Sequence, residues 1–272
     1  MDSLAKDTLV DALAAEFDAI DELCSSLDPA HWDLATECPG WDVKANVVHI
    51  IGTESMLADR PNPEVEVAEA PHVKNPIGEF NEVWITAYRD TDPAEVLADL
   101  RDVTAVRLDA LRSKTQADFD AESWTPAGQS TYGRFMRIRV FDCWMHEQDI
   151  RQAIGQPGHT DGLVVDVVMD EMSGALPFVF GKRGSAPDGS RITLELTGPS
   201  ARTYHVAVAG RAKLVDALDG EPTATLRMPL LTFTRLAGGR RDAGEAIDAG
   251  EVELSGDLAL ARQLATNLDY VI

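Results

Sequence analysis

The chain has 272 residues, more than the roughly 100–200 of one typical domain, so we expect two domains. Its 46 acidic residues outnumber 24 lysines and arginines, and the formal net charge is −22. Such a charge repels phosphate backbones and anionic membrane surfaces, which excludes nucleic acid and membranes as expected partners. No apolar run reaches the roughly 18 residues of a membrane span, and the first residues lack signal-peptide features, so we expect a cytoplasmic protein.

Cysteine usage is sparse. The three cysteines, Cys24, Cys38 and Cys143, are odd in number, far apart and without CxxC spacing. This pattern argues against a disulfide framework and against a metal site built from cysteines. We expect reduced, partly buried thiols.

Apolar residues recur at helical spacing in four long segments of the N-terminal half. We predict these helices over residues 4–27, 45–60, 93–111 and 131–155. Asp42 is placed to cap the second helix, and Asp92 with Pro93 marks the start of the third. A shorter helix is predicted over residues 81–88, and loops over residues 61–76 and 124–128. Four long helices joined by loops indicate a helical bundle.

The C-terminal part has a different pattern. Residues 155–162 have the composition of a linker, so we place the domain boundary there, with domains at residues 1–158 and 159–272. Alternating apolar residues predict four strands, over residues 191–196, 204–209, 223–228 and 252–255. Apolar helical runs at residues 163–180, 230–236 and 258–268 interleave with them. We therefore predict an α+β fold, a helical domain followed by a small, mostly antiparallel α+β domain.

The predicted helix at residues 131–155 is apolar around most of its circumference but carries one polar stripe. Arg139, Asp142, His146 and Asp149 are spaced three or four residues apart and share a face. A helix of this kind lies near the middle of a bundle. Charged groups in that position indicate a buried structural network or a site.

The stripe contains residue types that bind metal ions. Asp142 and His146 are one helical turn apart, so both can reach a single ion. A catalytic zinc site takes three such ligands and leaves a fourth position open. His49 on the second helix can supply the third, since small residues such as Gly52 leave room around its ring. The alternatives are a hydrogen-bonded Asp142–His146 pair, a core role for His49, and Glu147 as a substitute ligand or as a partner of Arg151.

Two motifs in the N-terminal half and two in the C-terminal half carry a resemblance to a known family. Residues 38–50 (CPGWDVKANVVHI) and 139–151 (RVFDCWMHEQDIR) resemble the mycothiol-dependent maleylpyruvate isomerase family, whose N-terminal domain is a DinB-like four-helix bundle. Residues 224–240 (ATLRMPLLTFTRLAGGR) and 252–264 (VELSGDLALARQL) resemble the sterol-carrier-protein-like domain attached to these enzymes. The resemblance covers nearly the whole chain.

The resemblance implies a function and a set of site residues. It implies zinc held by His49, Asp142 and His146, with aspartate where the family usually has glutamate. It also implies a catalytic arginine that handles the anionic substrate, and Arg240 matches this role best, with Arg241 and Arg227 as rivals. The implied cosubstrate is mycothiol, activated as a zinc-bound thiolate for cis–trans isomerisation or for S-transfer to an electrophile.

A second hypothesis comes from a different class. In it the protein is a non-catalytic binder of a small molecule or lipid, and the helical bundle is structural. The first hypothesis expects a small-molecule thiol and an electrophilic or anionic substrate as partners. A protein with 46 acidic residues needs locally concentrated cations to bind such an anion.

Overall fold

The computed structural model describes residues 5–271, and the predicted helix start at Leu4 lies outside this range. The described residues form two compact units, one ending at Gly158 and the other beginning at His159. The secondary structure is helical in the first unit and mixed in the second, so the predicted α+β fold is confirmed. The assignment of residues 1–158 and 159–272 to two domains stays a prediction.

The first unit contains six helices and one β-hairpin among the described residues. In chain order these are α1 (Lys6–Ser25), α2 (Val43–Leu57), α3 (Pro76–Ala87), α4 (Pro93–Ser113), α5 (Gln116–Asp120), β1 (Glu122–Thr125), β2 (Gly128–Thr131) and α6 (Tyr132–Ala153). Asp42 caps α2 by accepting a hydrogen bond from the Ala45 amide, and Asp92 caps α4 through the Ala94 amide. Both predicted helix starts are confirmed.

Helix α6 is central to this unit. It packs against α1 and α2, and α2 also packs against α3 and α4. Val140, Trp144 and Ile150 of α6 are fully buried. The predicted position of this helix inside a bundle is therefore confirmed, and its polar stripe faces neighbouring helices.

Two parts of the first unit differ from the sequence prediction. Helix α3 begins at Pro76 and not at residue 81, because Asn75 caps it through the Gly78 amide and proline suits the first turn. The predicted loop at residues 124–128 lies within a hairpin, in which Trp124 pairs with Gln129. Gly128 turns this hairpin with a φ of +95°, a conformation that favours glycine.

The second unit contains a five-stranded sheet and five helices among its described residues. Its elements are α7 (Gly162–Ser173), α8 (Leu176–Phe178), β3 (Arg191–Thr197), β4 (Arg202–Ala209), β5 (Arg211–Val215), β6 (Ala224–Pro229), α9 (Leu230–Ala237), α10 (Ala243–Asp248), β7 (Glu253–Gly256) and α11 (Leu258–Ala265). The strand order is β5-β4-β3-β6-β7. Only the β3–β6 pair is parallel, so the predicted, mostly antiparallel sheet is confirmed.

The second unit also corrects the sequence prediction in places. Strand β5 was not predicted, and it completes a hairpin with β4 across Gly210. The helical run predicted over residues 163–180 is divided at Gly174, and a π-helical turn (Val179–Arg183) follows α8. Helix α11 ends at Ala265, three residues before the predicted end. Within residues 5–271, no helix is both long enough and apolar enough to cross a membrane.

Candidate metal centre

The three predicted metal ligands lie together between α2 and α6. His49 is on α2, and Asp142 and His146 are one turn apart on α6. One ligand atom from each residue lies within 4.8 Å of the other two. His49 Nε2 lies 2.9 Å from Asp142 Oδ2, and His146 Nε2 is 3.8 Å from Asp142 Oδ1. Both histidines are buried, whereas Asp142 is partly exposed.

These distances fit a single zinc ion. Zinc bonds of about 2.0–2.2 Å in a tetrahedral arrangement place two ligand atoms about 3.3–3.6 Å apart. The separations of 2.9 Å from His49 Nε2 to Asp142 Oδ2 and 3.8 Å from His146 Nε2 to Asp142 Oδ1 lie just outside that range, on either side of it, so shifts of a few tenths of an ångström would bring both into it. Two imidazoles and one carboxylate also form a donor set typical of catalytic zinc, with a fourth position for a ligand. The residues present can therefore hold zinc.

His146 is held in one tautomer by its neighbours. Its Nδ1 donates to Asn46 Oδ1 at 2.7 Å and lies 3.2 Å from Asp149 Oδ2. The Asn46 amide is itself oriented, because its Nδ2 donates to the Thr36 hydroxyl and to the Asp42 carbonyl. Both groups facing Nδ1 are acceptors, so Nδ1 carries the proton and the lone pair is on Nε2. That lone pair lies on the side of His49 and Asp142.

His49 is held differently. Its Nδ1 is buried and meets no hydrogen-bond partner among the described residues. Its ring instead packs against aromatic neighbours, 4.6 Å from the His146 ring centroid and 5.2 Å from that of Trp41. The Trp41 indole also lies 5.5 Å from the His146 ring. Aromatic packing therefore restricts the position of both imidazole rings. Hydrogen bonding at Nδ1 orients only His146.

A row of buried charges supports Asp142. Glu54 on α2 accepts from Arg107 on α4 at 2.9 Å and from Arg139 on α6 at 2.8 Å. Arg139 also donates to Asp142 Oδ2. We call the buried Arg107, Glu54 and Arg139, together with the partly exposed Asp142 at the end, the buried charge row. It links three helices to the candidate site.

The surroundings keep two candidate ligands, Asp142 and His146, in the protonation states that metal binding needs. Burial alone would raise the pKa of Asp142, but its interactions with His49 and Arg139 outweigh this effect and hold that pKa well below its usual range. Burial lowers the pKa of His146 and outweighs the opposite effect of Asp149. A carboxylate and a neutral imidazole result, and both can donate a lone pair to a metal ion.

Other predictions about this region have mixed outcomes. Gly52 leaves room for Trp84 and not for a ligand, since a Cβ there would be 2.6 Å from Trp84 Cγ. Glu147 is not in the group with His49; it pairs with Arg151 at 2.7 Å, as one alternative predicted. A second possible ligand group, Cys38 with His146 and Asp149, was not predicted because the cysteines are distant in sequence.

Arg240 belongs to the second unit, three residues after the end of α9. Its Nη1 donates to the Gly238 carbonyl at 2.8 Å. Its rivals bind carboxylates: Arg241 pairs with Glu245 and Glu251, and Arg227 pairs with Glu253 and lies 3.6 Å from Glu195. The catalytic role of Arg240 stays a prediction.

Sequence reasoning missed Asn46, Glu54 and Trp41 as parts of the site. Asn46, His49 and Thr53 recur on one face of α2, the same spacing that identified the polar stripe of α6. That periodicity could have found Asn46. The positions of Glu54 and Trp41 depend on contacts between distant segments, and no local pattern indicates them.

Two uncharacterized proteins of Mycobacterium tuberculosis, from strains CDC 1551 and H37Rv, are each 29% identical over 146 residues. The match covers 53% of this chain and 55% of each relative, so it spans about half the length of these relatives.

The crystal structure of the mycothiol-dependent maleylpyruvate isomerase matches with a TM-score of 0.60 at 17% identity, covering 93% of both chains. A mutant of that enzyme gives a TM-score of 0.55. At this identity the similarity shows a shared fold.

Family models cover most of the chain. The mycothiol maleylpyruvate isomerase N-terminal domain matches residues 13–151, which include all three candidate ligands. The C-terminal domain of the same family matches residues 166–263. The first model alone spans just over half of the chain, and together the two models establish that this protein belongs to the mycothiol maleylpyruvate isomerase family.

Proposed function

We propose that this protein is a zinc- and mycothiol-dependent enzyme that catalyses cis–trans isomerisation or S-transfer to an electrophile. The proposed zinc ligands are His49, Asp142 and His146. Family membership and the similarity to a mycothiol-dependent maleylpyruvate isomerase support the thiol and the reaction class. The proposed partners are a small-molecule thiol and an electrophilic or anionic substrate.

The pair of acceptors at His146 Nδ1 is the observation that carries the proposal. Asn46 and Asp149 face Nδ1 as acceptors, so the Nε2 lone pair is directed away from them. Histidines that bind metals typically donate their other ring N–H to a carboxylate or carbonyl in this way. A histidine with a purely structural role has no need of an unprotonated nitrogen directed towards a carboxylate and a second imidazole.

The side chains of the protein have distinct proposed roles. Zinc bound here would supply Lewis acidity that deprotonates a coordinated thiol at neutral pH. Arg139 holds Asp142 through a hydrogen bond and keeps it ionised. Asn46 fixes the orientation of His146. Arg240 is proposed to pair with the anionic group of the substrate, as arginine does with carboxylates.

Metal content tests the site directly. Protein purified without chelator should contain one zinc ion per chain by elemental analysis, and His49→Ala and His146→Ala should each contain far less. His31→Ala is the matched control, because His31 lies outside the bundle helices, in a turn where its Nδ1 accepts from the Asp28 amide. Wild-type protein without bound zinc, or full zinc in both ligand variants, would contradict the site.

Thiol consumption separates the two reactions. Zinc-loaded protein is incubated with mycothiol and either maleylpyruvate or simple electrophiles, and thiol is measured over time. An isomerase turns over substrate with the thiol concentration unchanged, whereas a transferase consumes one thiol per product. No turnover with any thiol and electrophile pair would leave a metal-binding protein and contradict the enzyme proposal.

A cavity in the second unit supports an alternative, the binding of an anionic amphiphile without catalysis. The cavity measures about 880 Å³, which is within the size range of small-molecule sites. Its lining combines apolar Phe178 and Leu214 with the cations Lys182, Arg211 and Lys213. Titration with dodecanoate, followed by calorimetry, tests this function. Binding that Lys182→Ala and Lys213→Ala abolish, in a protein without thiol-dependent turnover, would favour the alternative.

A further inference from the structure

Trp41 contacts both candidate histidine ligands from one side. Its indole centroid lies 5.2 Å from the His49 ring and 5.5 Å from the His146 ring, tilted by 38° and 35°. Both distances are within the range of direct aromatic contact. A displacement of this one side chain would therefore change the packing of both imidazoles together.

The indole N–H of Trp41 is hydrogen-bonded to a buried carboxylate, that of Glu82. Its Nε1 donates to Glu82 Oε1 on α3 at 2.9 Å. His72, from the segment that connects α2 and α3, contacts the same oxygen through Nε2, also at 2.9 Å. Glu82 is only 7% exposed, and a buried carboxylate with two N–H donors is fixed in place. Through the indole of Trp41, Glu82 and His72 are connected to both histidine ligands.

The local sequence makes room for this arrangement. Gly40 adopts a φ of +84°, and a Cβ at this residue would lie 2.4 Å from His72 Nδ1. The His72 ring thus packs directly on the backbone that precedes Trp41. Asp42, the next residue, caps the helix that carries His49. One short turn therefore sets the start of α2 and the position of the indole beside it.

We propose that Trp41, Glu82 and His72, here called the indole relay, position His49 and His146 for metal binding. Glu82 and His72 are positioning residues that act through Trp41. The relay gives His49 the support that its Nδ1 does not obtain from a hydrogen bond. The inference rests on the proposed zinc site, and it assigns a role to His72, a residue of a connecting loop.

Zinc affinity, measured by competition with a chromogenic chelator, tests the relay in the full chain. Glu82→Leu removes the acceptor, and Trp41→Phe keeps an aromatic ring but removes the donor. Each should weaken zinc binding by about tenfold, the lower end of the effect of residues that support metal ligands. Glu82→Gln keeps an acceptor oxygen and should restore most of the affinity. Glu79→Gln, an exposed change on α3, is the matched control.

A second measurement uses the zinc-free protein and keeps the two proposals separate. The ring ¹H–¹³C NMR signals of His49 and His146 should move in Glu82→Leu and Trp41→Phe, while those of His31 and His205 stay. If the signals move in these two variants but the wild-type protein binds no zinc, the relay is supported and the zinc site is contradicted. Folded Glu82→Leu and Trp41→Phe variants with unmoved signals and wild-type zinc affinity would overturn the relay.

Discussion

The two histidines of the candidate centre reach the same carboxylate but are held in different ways. His146 has two acceptors at its second ring nitrogen, Asn46 and Asp149, and these fix its tautomer as well as its orientation. The second nitrogen of His49 meets no partner among the described residues, and its ring is located by Asp142 and by aromatic packing. Hydrogen bonds select a protonation state, whereas packing restricts position only. The candidate centre thus combines His146, whose tautomer is fixed by hydrogen bonds, with His49, whose ring is located mainly by packing.

The largest expected effect comes from breaking the charge row that supports both histidines through Asp142. Glu54→Gln leaves Arg107 and Arg139 without their shared carboxylate. Removing one partner of a buried ion pair typically costs about 3–5 kcal/mol, because a buried charge is left uncompensated. Urea denaturation of the zinc-free protein measures this cost. Glu22→Gln, an exposed change on α1, is the control, and a cost below about 1 kcal/mol would show that the row is not an energetic unit.

The next largest effect is expected from a substitution that makes the hydrogen bonding of His146 more like that of His49. Asn46→Ala deletes one of the acceptors at His146 Nδ1 and makes this residue more like His49. Loss of such a partner typically lowers metal affinity about 10–100-fold. Zinc competition measures the change, and ¹⁵N NMR of the zinc-free protein reports the tautomer. Asn62→Ala, at an exposed loop position, should change neither, and unchanged affinity in Asn46→Ala would assign the role to Asp149 alone.

The smallest expected effect is a difference in the reactivity of two thiols, one beside each of the helices that carry the candidate ligands. Cys143 is buried on α6 under Arg139, whose Nη2 lies 3.3 Å from its sulfur, while Cys38 precedes α2 and is partly exposed. Burial raises the pKa of Cys143 well above its usual value and that of Cys24 to about 12. At pH 8, below that pKa, the Cys24 thiol stays protonated and unreactive.

Iodoacetamide at pH 8, followed by peptide mass spectrometry, should therefore modify Cys38 alone. The two buried cysteines should react only after unfolding in guanidinium, which serves as the internal control. Modification of Cys143 at the same rate as Cys38 in folded protein would show that the α6 side of the centre opens to solvent.

Local patterns predicted those parts of the fold that local physics determines. The spacing on α6 identified its polar stripe, and Asp42 and Asp92 marked helix starts because their side chains satisfy nearby amides. The same physics could have placed the start of α3 at Asn75 and Pro76. Strand β5 was missed because its stability comes from pairing with β4, which is a tertiary contact.

The candidate site was only partly accessible to sequence reasoning. Asp142 and His146 followed from one helical turn, whereas His49 required the family resemblance, since its partner lies 93 residues away. Glu54 and Glu82 are separated from their site neighbours by 85 and 41 residues. A carboxylate in a sequence gives no sign of whether a distant guanidinium or indole will meet it. Periodicity identifies a buried face, and only the packed helices show which groups share it.

The buried charge row has a consequence for the local electric field. It contains two guanidinium groups and two carboxylates, so it is neutral as a whole. The charge of a divalent cation at the three ligands would therefore not be cancelled within the row, and the burial of both histidines would limit its screening by solvent. The molecule would then attract anions at this site despite its formal charge of −22. Selection of a thiolate and of an anionic substrate would begin with the sign of this field, before any side chain touches them.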